Sequence, residues 1–160
     1  MKPILTLAAF IAALLCAGAG AEEKLVLGWV EKISIHPGDL ELDAKVDTGA
    51  DNTSIDARNV TVIDRNGRRF LRFLVDNRNG RTVEIEREQV GIEIVPGHNG
   101  DFEERPLLVL DICLGKECRG TLVNLADRSR LNYPVLLGRS FMLDRVVVNP
   151  SVQYAVKSGK

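Results

Sequence analysis

The residues best placed to do chemistry are Asp47-Thr48-Gly49-Ala50. The stretch before them, Leu40 to Val46, alternates apolar and polar side chains like a half-buried strand. The carboxylate therefore stands where a strand should end. An Asp held on a tight Gly turn at a strand end can act on a substrate, whereas an Asp in mid-strand facing solvent cannot. Asp51-Asn52-Thr53-Ser54 follows as a run of turn formers. Far downstream, Pro134-Val135-Leu136-Leu137-Gly138-Arg139 forms an apolar run that also meets a Gly.

Cys113 and Cys118 are the other reactive pair. They flank Leu114-Gly115-Lys116-Glu117, between the strand-like segments Leu107 to Ile112 and Gly120 to Val123. A four-residue loop would set the two cysteines opposite each other, where antiparallel Cα atoms are about 4.5–5.5 Å apart, within disulfide range. A hairpin disulfide is expected, the alternative being two free, buried thiols. One C-x4-C pair lacks two further ligands nearby, which argues against structural zinc.

The elements that must position these residues read as β throughout. Leu25 to Ile35 is rich in β-formers and ends at the turn His36-Pro37-Gly38-Asp39. Asn59 to Asp64 and Arg69 to Asp76 are joined across Asn66-Gly67, a strong hairpin signal. Thr82 to Glu86, Val90 to Val95, Leu107 to Ile112, Thr121 to Leu125, Val146 to Val148 and Gln153 to Val156 are further strands. One short helix is expected around Arg139 to Asp144. Many short strands at close spacing indicate a barrel or sandwich. Arg65, Arg68, Arg69 and Arg72 cluster on one hairpin, a solubilising surface or a dock for an acidic partner. Glu103-Glu104-Arg105 reads as a solvated face, and Trp29 as a core or interface residue rather than a substrate platform.

Residues 1–21 read as a secretory signal. Lys2 is the charged n-region, Ile4 to Leu15 an apolar run too short to span a bilayer, and Ala19-Gly20-Ala21 a small-x-small cleavage site. Acylation at Cys16 is the weaker alternative, because Leu15 precedes that Cys where lipoprotein processing favours a small residue. Residues 22–160 then form a single domain, periplasmic or secreted, with no membrane anchor after cleavage near Ala21. Losing Lys2 leaves 20 basic against 22 acidic residues. That balance gives no support for nucleic-acid binding.

Asp47-Thr48-Gly49-Ala50-Asp51-Asn52-Thr53 resembles the active-site loop of retroviral-type aspartic proteases. Val135-Leu136-Leu137-Gly138-Arg139-Ser140-Phe141-Met142 is similar to their second signature, and the order agrees from Leu40 to Leu143. The whole mature chain also resembles a bacterial family of small retropepsin-like proteins, in its opening Gly-Trp, its Ala-Lys-Val-Asp-Thr-Gly-Ala and its Leu-Leu-Gly-Arg. That family is often labelled an ATP-dependent zinc protease. No H-E-x-x-H and no P-loop occur here, and His36 and His98 are the only histidines. No cofactor and no metal are therefore expected. Many members carry a His just before Glu-Glu-Arg; here Asp101-Phe102 stands there and His98 lies further upstream.

The resemblance implies an all-β acid-protease barrel and peptide hydrolysis by a carboxylate dyad. Two carboxylates sharing a site cannot both ionise, so the pair holds one proton. One activates water while the other polarises the peptide carbonyl. Only one Asp-Thr-Gly is present, so the resemblance implies a homodimer that joins Asp47 to its twin. Thr48 would bond to the partner's loop, and Gly49 would give the turn its freedom. Ala50 replaces a hydroxyl common in digestive-type enzymes, which suits work nearer neutral pH. Asp51 and Arg139 would pair and brace the loop together with Gly138. A flap is expected over the cleft within Glu93 to Phe102, with Pro96, Gly97, His98, Asn99 and Gly100 at its tip; an ordinary surface loop is the alternative. The partners implied are a second copy and a peptide or protein substrate. A catalytically silent peptide-binding module of the same fold is the second reading, and a metal-dependent hydrolase a weaker third.

Overall fold

The computed structural model describes residues 23–97 and 100–157. The signal-like segment and the candidate flap residues His98 and Asn99 lie outside the described residues. Among the described residues there are twelve strands and one helical turn. They are β1 (Leu25–Leu27), β2 (Val30–His36), β3 (Leu40–Val46), β4 (Thr53–Asp56), β5 (Arg58–Arg65) and β6 (Arg68–Asp76). After them come β7 (Thr82–Glu88), β8 (Gly91–Pro96), β9 (Phe102–Leu114), β10 (Glu117–Ala126), β11 (Val135–Leu137), α1 (Arg139–Met142) and β12 (Val146–Val148).

The principal sheet runs β10-β4-β11-β3-β2-β9-β8, and β10 also pairs with β9. That extra pairing closes β10, β4, β11, β3, β2 and β9 into a six-stranded barrel, leaving β8 outside. The alternation in β3 does what its pattern requires: Leu42, Ala44 and Val46 point into the core while Glu41 and Lys45 stay exposed. Leu108, Leu110 and Ile112 of β9 and Val123 and Leu125 of β10 fill the same core.

A separate sheet, β5-β6-β7, covers the barrel with the buried side chains Leu71, Phe73, Val75 and Ile85. Its outer face carries Arg65, Arg68 and Arg72 of the arginine cluster, which are paired from within the sheet, while Arg69 lies on the face of Leu71 and Phe73. Arg65 and Arg72 reach Glu86, at 2.5 and 2.9 Å, and Arg68 pairs with Glu88. This internal pairing weakens the acidic-dock reading of that surface.

Three local expectations change. Leu25 to Ile35 is not one strand: it breaks at Gly28-Trp29, and β1 instead pairs in parallel with β12. Thr53 and Ser54 are not turn residues but open the fully buried β4, because the barrel needs a strand between β10 and β11. Gln153 to Val156 is not a strand. It is bound to the barrel through Glu31, which is fully buried and accepts hydrogen bonds from the N–H groups of Gly28 (2.6 Å), Ala155 (2.9 Å) and Val156 (3.2 Å). One carboxylate thus satisfies three backbone donors that would otherwise be buried or strained apart.

Glu31→Gln replaces half of that acceptor with an NH2 group facing other donors. A loss of roughly 1–3 kcal/mol is expected in denaturant unfolding, with faster amide exchange at Ala155 and Val156. Unchanged exchange there would show that the carboxylate does not hold the tail.

Candidate active site

Strand register builds the site. β11 lies parallel to β3, with Leu137 opposite Val46, and antiparallel to β4, with Leu136 opposite Ser54. The residues that follow Val46 and Leu137 therefore emerge side by side. The Asp47 N–H donates to the Leu137 carbonyl at 3.0 Å, and the Arg139 N–H to the Ala50 carbonyl at 2.9 Å. Two segments 90 residues apart in sequence become one loop cluster.

Gly138 is required by close approach. A Cβ there would lie 2.3 Å from the Asn52 carbonyl oxygen, while its N–H donates to Thr53 Oγ1 at 3.2 Å. Arg139 then clamps the loop from outside. Its Nη1 donates to the carbonyls of Thr48 (3.0 Å) and Gly49 (2.9 Å), and its Nη2 pairs with Asp51. The planar guanidinium reaches three acceptors at once.

Asp47 is half-buried, with its side chain 28% exposed. Its Oδ1 accepts the Gly49 N–H at 2.9 Å, and its Oδ2 lies 3.8 Å from Lys45 Nζ. The reason for Gly49 differs from the expectation. Its φ lies outside the left-handed region, and a Cβ there would come within 3.1 Å of Asp47 Oδ1. Small size beside the carboxylate, not backbone freedom, is what the position uses. Thr48 is exposed, and Ala50 donates its N–H to the Asp47 carbonyl at 3.4 Å.

The candidate flap is a hairpin. β8 pairs with the first half of β9 from Gly91–Leu107 to Pro96–Phe102, and the Gly97 N–H donates to the Asp101 carbonyl at 2.8 Å. Gly100 adopts a φ of 82°, which favours Gly in a turn. Ile94 and Phe102 stand exposed near its end. At its base Glu93 accepts from Asn52 Nδ2 (3.1 Å) and Asn124 Nδ2 (2.5 Å), tying the hairpin to the loop after Asp47.

Sequence reasoning missed several residues around Asp47. A cavity of about 430 Å³ is lined by Trp29, Lys45, Arg128, Leu131, Tyr133 and Leu136, with Trp29 edge-on to Tyr133. Arg128 is buried; its backbone N–H donates to Asp56 Oδ1 at 2.7 Å, and its Nε to the Tyr133 carbonyl at 3.3 Å. Arg78 fixes the same loop through the carbonyls of Arg128 (2.8 Å) and Leu131 (2.5 Å). Burial above all, and then neighbouring Arg105, hold the Arg128 guanidinium below its usual range, while Asp56 and Asp47 act the other way. Arg105 is not part of a solvated face: it is half-buried and pairs with Glu103 at 2.8 Å. The only sequence signal for this cationic group was charge itself, scattered over Lys45, Arg105 and Arg128.

The family model described as RimB-like, retropepsin-like aspartic endopeptidase RimB, matches residues 26–158. The chain belongs to this family. A crystal structure of a Legionella pneumophila protein of unknown function is similar at a TM-score of 0.73 and 37% identity, covering 82% of this chain and 98% of that one. A protein named probable alpha-L-glutamate ligase from Parasynechococcus marenigrum is 33% identical over 79% of this chain, and one of the same name from Desulfotalea psychrophila 29% identical over 72%. The chain spans only 28% and 25% of those two relatives.

Two substitutions probe this loop cluster. Arg139→Lys keeps the charge but cannot hold three acceptors, and should cost roughly 1–2 kcal/mol in denaturant unfolding. Gly138→Ala must push against backbone and should cost about 1–3 kcal/mol. Neutral behaviour of both would mean that the contacts do not brace the loop.

Proposed function

We propose that this chain is an exported aspartic endopeptidase, active as a homodimer, that prefers peptides carrying glutamyl side chains. The observation that carries the reading is Asp47 itself, half-buried at the end of β3 on a loop clamped by Arg139, beside a cavity lined by Lys45 and Arg128. In the dimer, Asp47 and Asp47 of a second copy share one proton and one water. The ionised member takes a proton from the water as it attacks the peptide carbonyl. The protonated member donates to the carbonyl oxygen and so stabilises the tetrahedral intermediate. Exposed Thr48 is the contact offered to the second loop. The β8–β9 hairpin covers the bound peptide, its base anchored by Glu93.

The glutamyl preference rests on charge and on the relatives. A buried arginine disfavoured by its surroundings gains from an incoming carboxylate, and Lys45 supplies a second cation at the same wall. The relatives named as probable alpha-L-glutamate ligases contain a segment like this chain as a quarter to a third of their length. A hydrolase segment in such proteins fits a substrate made of glutamyl residues. Residues 1–21, read as a secretory signal, support export.

The test uses matched peptides that differ only in Glu against Gln, with sedimentation measured in parallel. Asp47→Asn is expected to remain folded and dimeric while activity falls by about 10²–10⁴-fold. Wild type is expected to favour Glu peptides in kcat/KM. Lys45→Met should lose about 10- to 150-fold on those peptides, as one charge-assisted hydrogen bond is worth about 1.5–3 kcal/mol, and little on the Gln series. A chelator should leave hydrolysis unchanged. Full activity of Asp47→Asn would remove the dyad, and a dimeric wild type that binds peptides without cutting them would favour the silent binding module.

A further inference from the structure

A second cluster of reactive side chains lies away from Asp47. β2 begins beside Lys45 and ends beside Leu40, so His36 stands at the far end of this strand pair, roughly 20 Å along the strand direction. There β2 meets the end of β9, with Ser34 opposite Cys113, and β9 meets β10, with Cys113 opposite Cys118. Cys113 and Cys118 form a disulfide. The ligand atoms of His36, Cys113 and Cys118 all lie within 4.8 Å of one another.

We propose that reduction of this disulfide creates a Zn²⁺ site formed by His36, Cys113 and Cys118. Two thiolates and an imidazole are a donor set that suits zinc, with water in the fourth tetrahedral position. The imidazole is already oriented for the task. His36 Nδ1 lies 2.5 Å from Asp39 Oδ1, which places the proton on Nδ1 and leaves Nε2 as the ligand nitrogen. A carboxylate behind a ligating histidine is the arrangement that fixes the orientation of its ring. Access is open, since Cys118 is exposed and His36 is 39% exposed, whereas Cys113 anchors the site from the core.

The chemistry balances with a dithiol as reductant. The reductant supplies two electrons and two protons and becomes a disulfide itself; the Cys113–Cys118 bond breaks and each sulfur leaves as a thiol. Zinc then displaces both thiol protons. The sulfurs must part to about 3.7 Å for tetrahedral bonds of about 2.3 Å, which rotation about Cα–Cβ supplies. In the oxidised chain two of the three ligands are consumed by their mutual bond, so metal binding reports the redox state.

The experiment titrates Zn²⁺ into the full chain against a chromophoric chelator, oxidised and after phosphine reduction under argon, and repeats it with Co²⁺ for its thiolate charge-transfer band. One Zn²⁺ per reduced chain and none per oxidised chain are expected. Cys113→Ser with Cys118→Ser should abolish both signals. Asp39→Asn should weaken binding about tenfold, and His36→Asn by more than that, with circular dichroism showing that each variant folds. Equal uptake by oxidised and reduced chains, reduced wild type no tighter than the serine variant, or undiminished binding by folded His36→Asn would each overturn the proposal.

Discussion

The parallel pairing of β11 with β3 assembles the loop cluster around Asp47. It sets Leu137 against Val46, so that the ends of two strands distant in sequence lie together. The Asp47 loop and the Gly138-Arg139 turn are then pressed so closely that no side chain fits at Gly138. The same contact lets one guanidinium bind two loop carbonyls and Asp51. A one-residue slip would turn the buried face of β3 outward and would part Asp47 from its braces.

Charge is arranged in two different ways on this molecule. On the outer sheet, arginines of β5 and β6 pair with glutamates of β7 across exposed strands, where such pairs add little to stability but keep the surface neutral. Beside Asp47 the cations sit closer to the core, and two have carboxylate partners: Lys45 lies 3.8 Å from Asp47 and Arg105 pairs with Glu103. Arg128 is buried, Arg105 is half-buried close to it, and Lys45 faces the same cavity. In a partly desolvated wall of this kind, low dielectric strengthens the attraction between charges.

The barrel also places its two clusters of reactive side chains at different strand ends. The ends of β3 and β11 carry the loop cluster around Asp47, and the far ends of β2 and β9 carry the cysteines and His36. The β8–β9 hairpin extends from the barrel while its base is fixed to Asn52 and Asn124 by Glu93. Ile94 and Phe102 stand exposed towards the end of that hairpin.

Local pattern was enough to mark most strands, the short helix, the hairpin disulfide and the Asp47–Arg139 signatures. Period-two alternation and turn chemistry act within a few residues, so they are written in the sequence itself. The resemblance of two short motifs then carried the fold. Other features depended on residues far apart meeting in space. Thr53 and Ser54 read as turn formers until the barrel drew them into a buried strand, and Gln153 to Val156 read as a strand although Glu31 holds it without sheet pairing. Lys45, Arg105 and Arg128 belong to three different segments, and His36 is far from the cysteines in sequence. Sequence alone determined which side chains alternate and which loop carries the acid. Only closure of the barrel decided which distant charges and ligands surround them, because electrostatics and coordination depend on distance through space rather than along the chain.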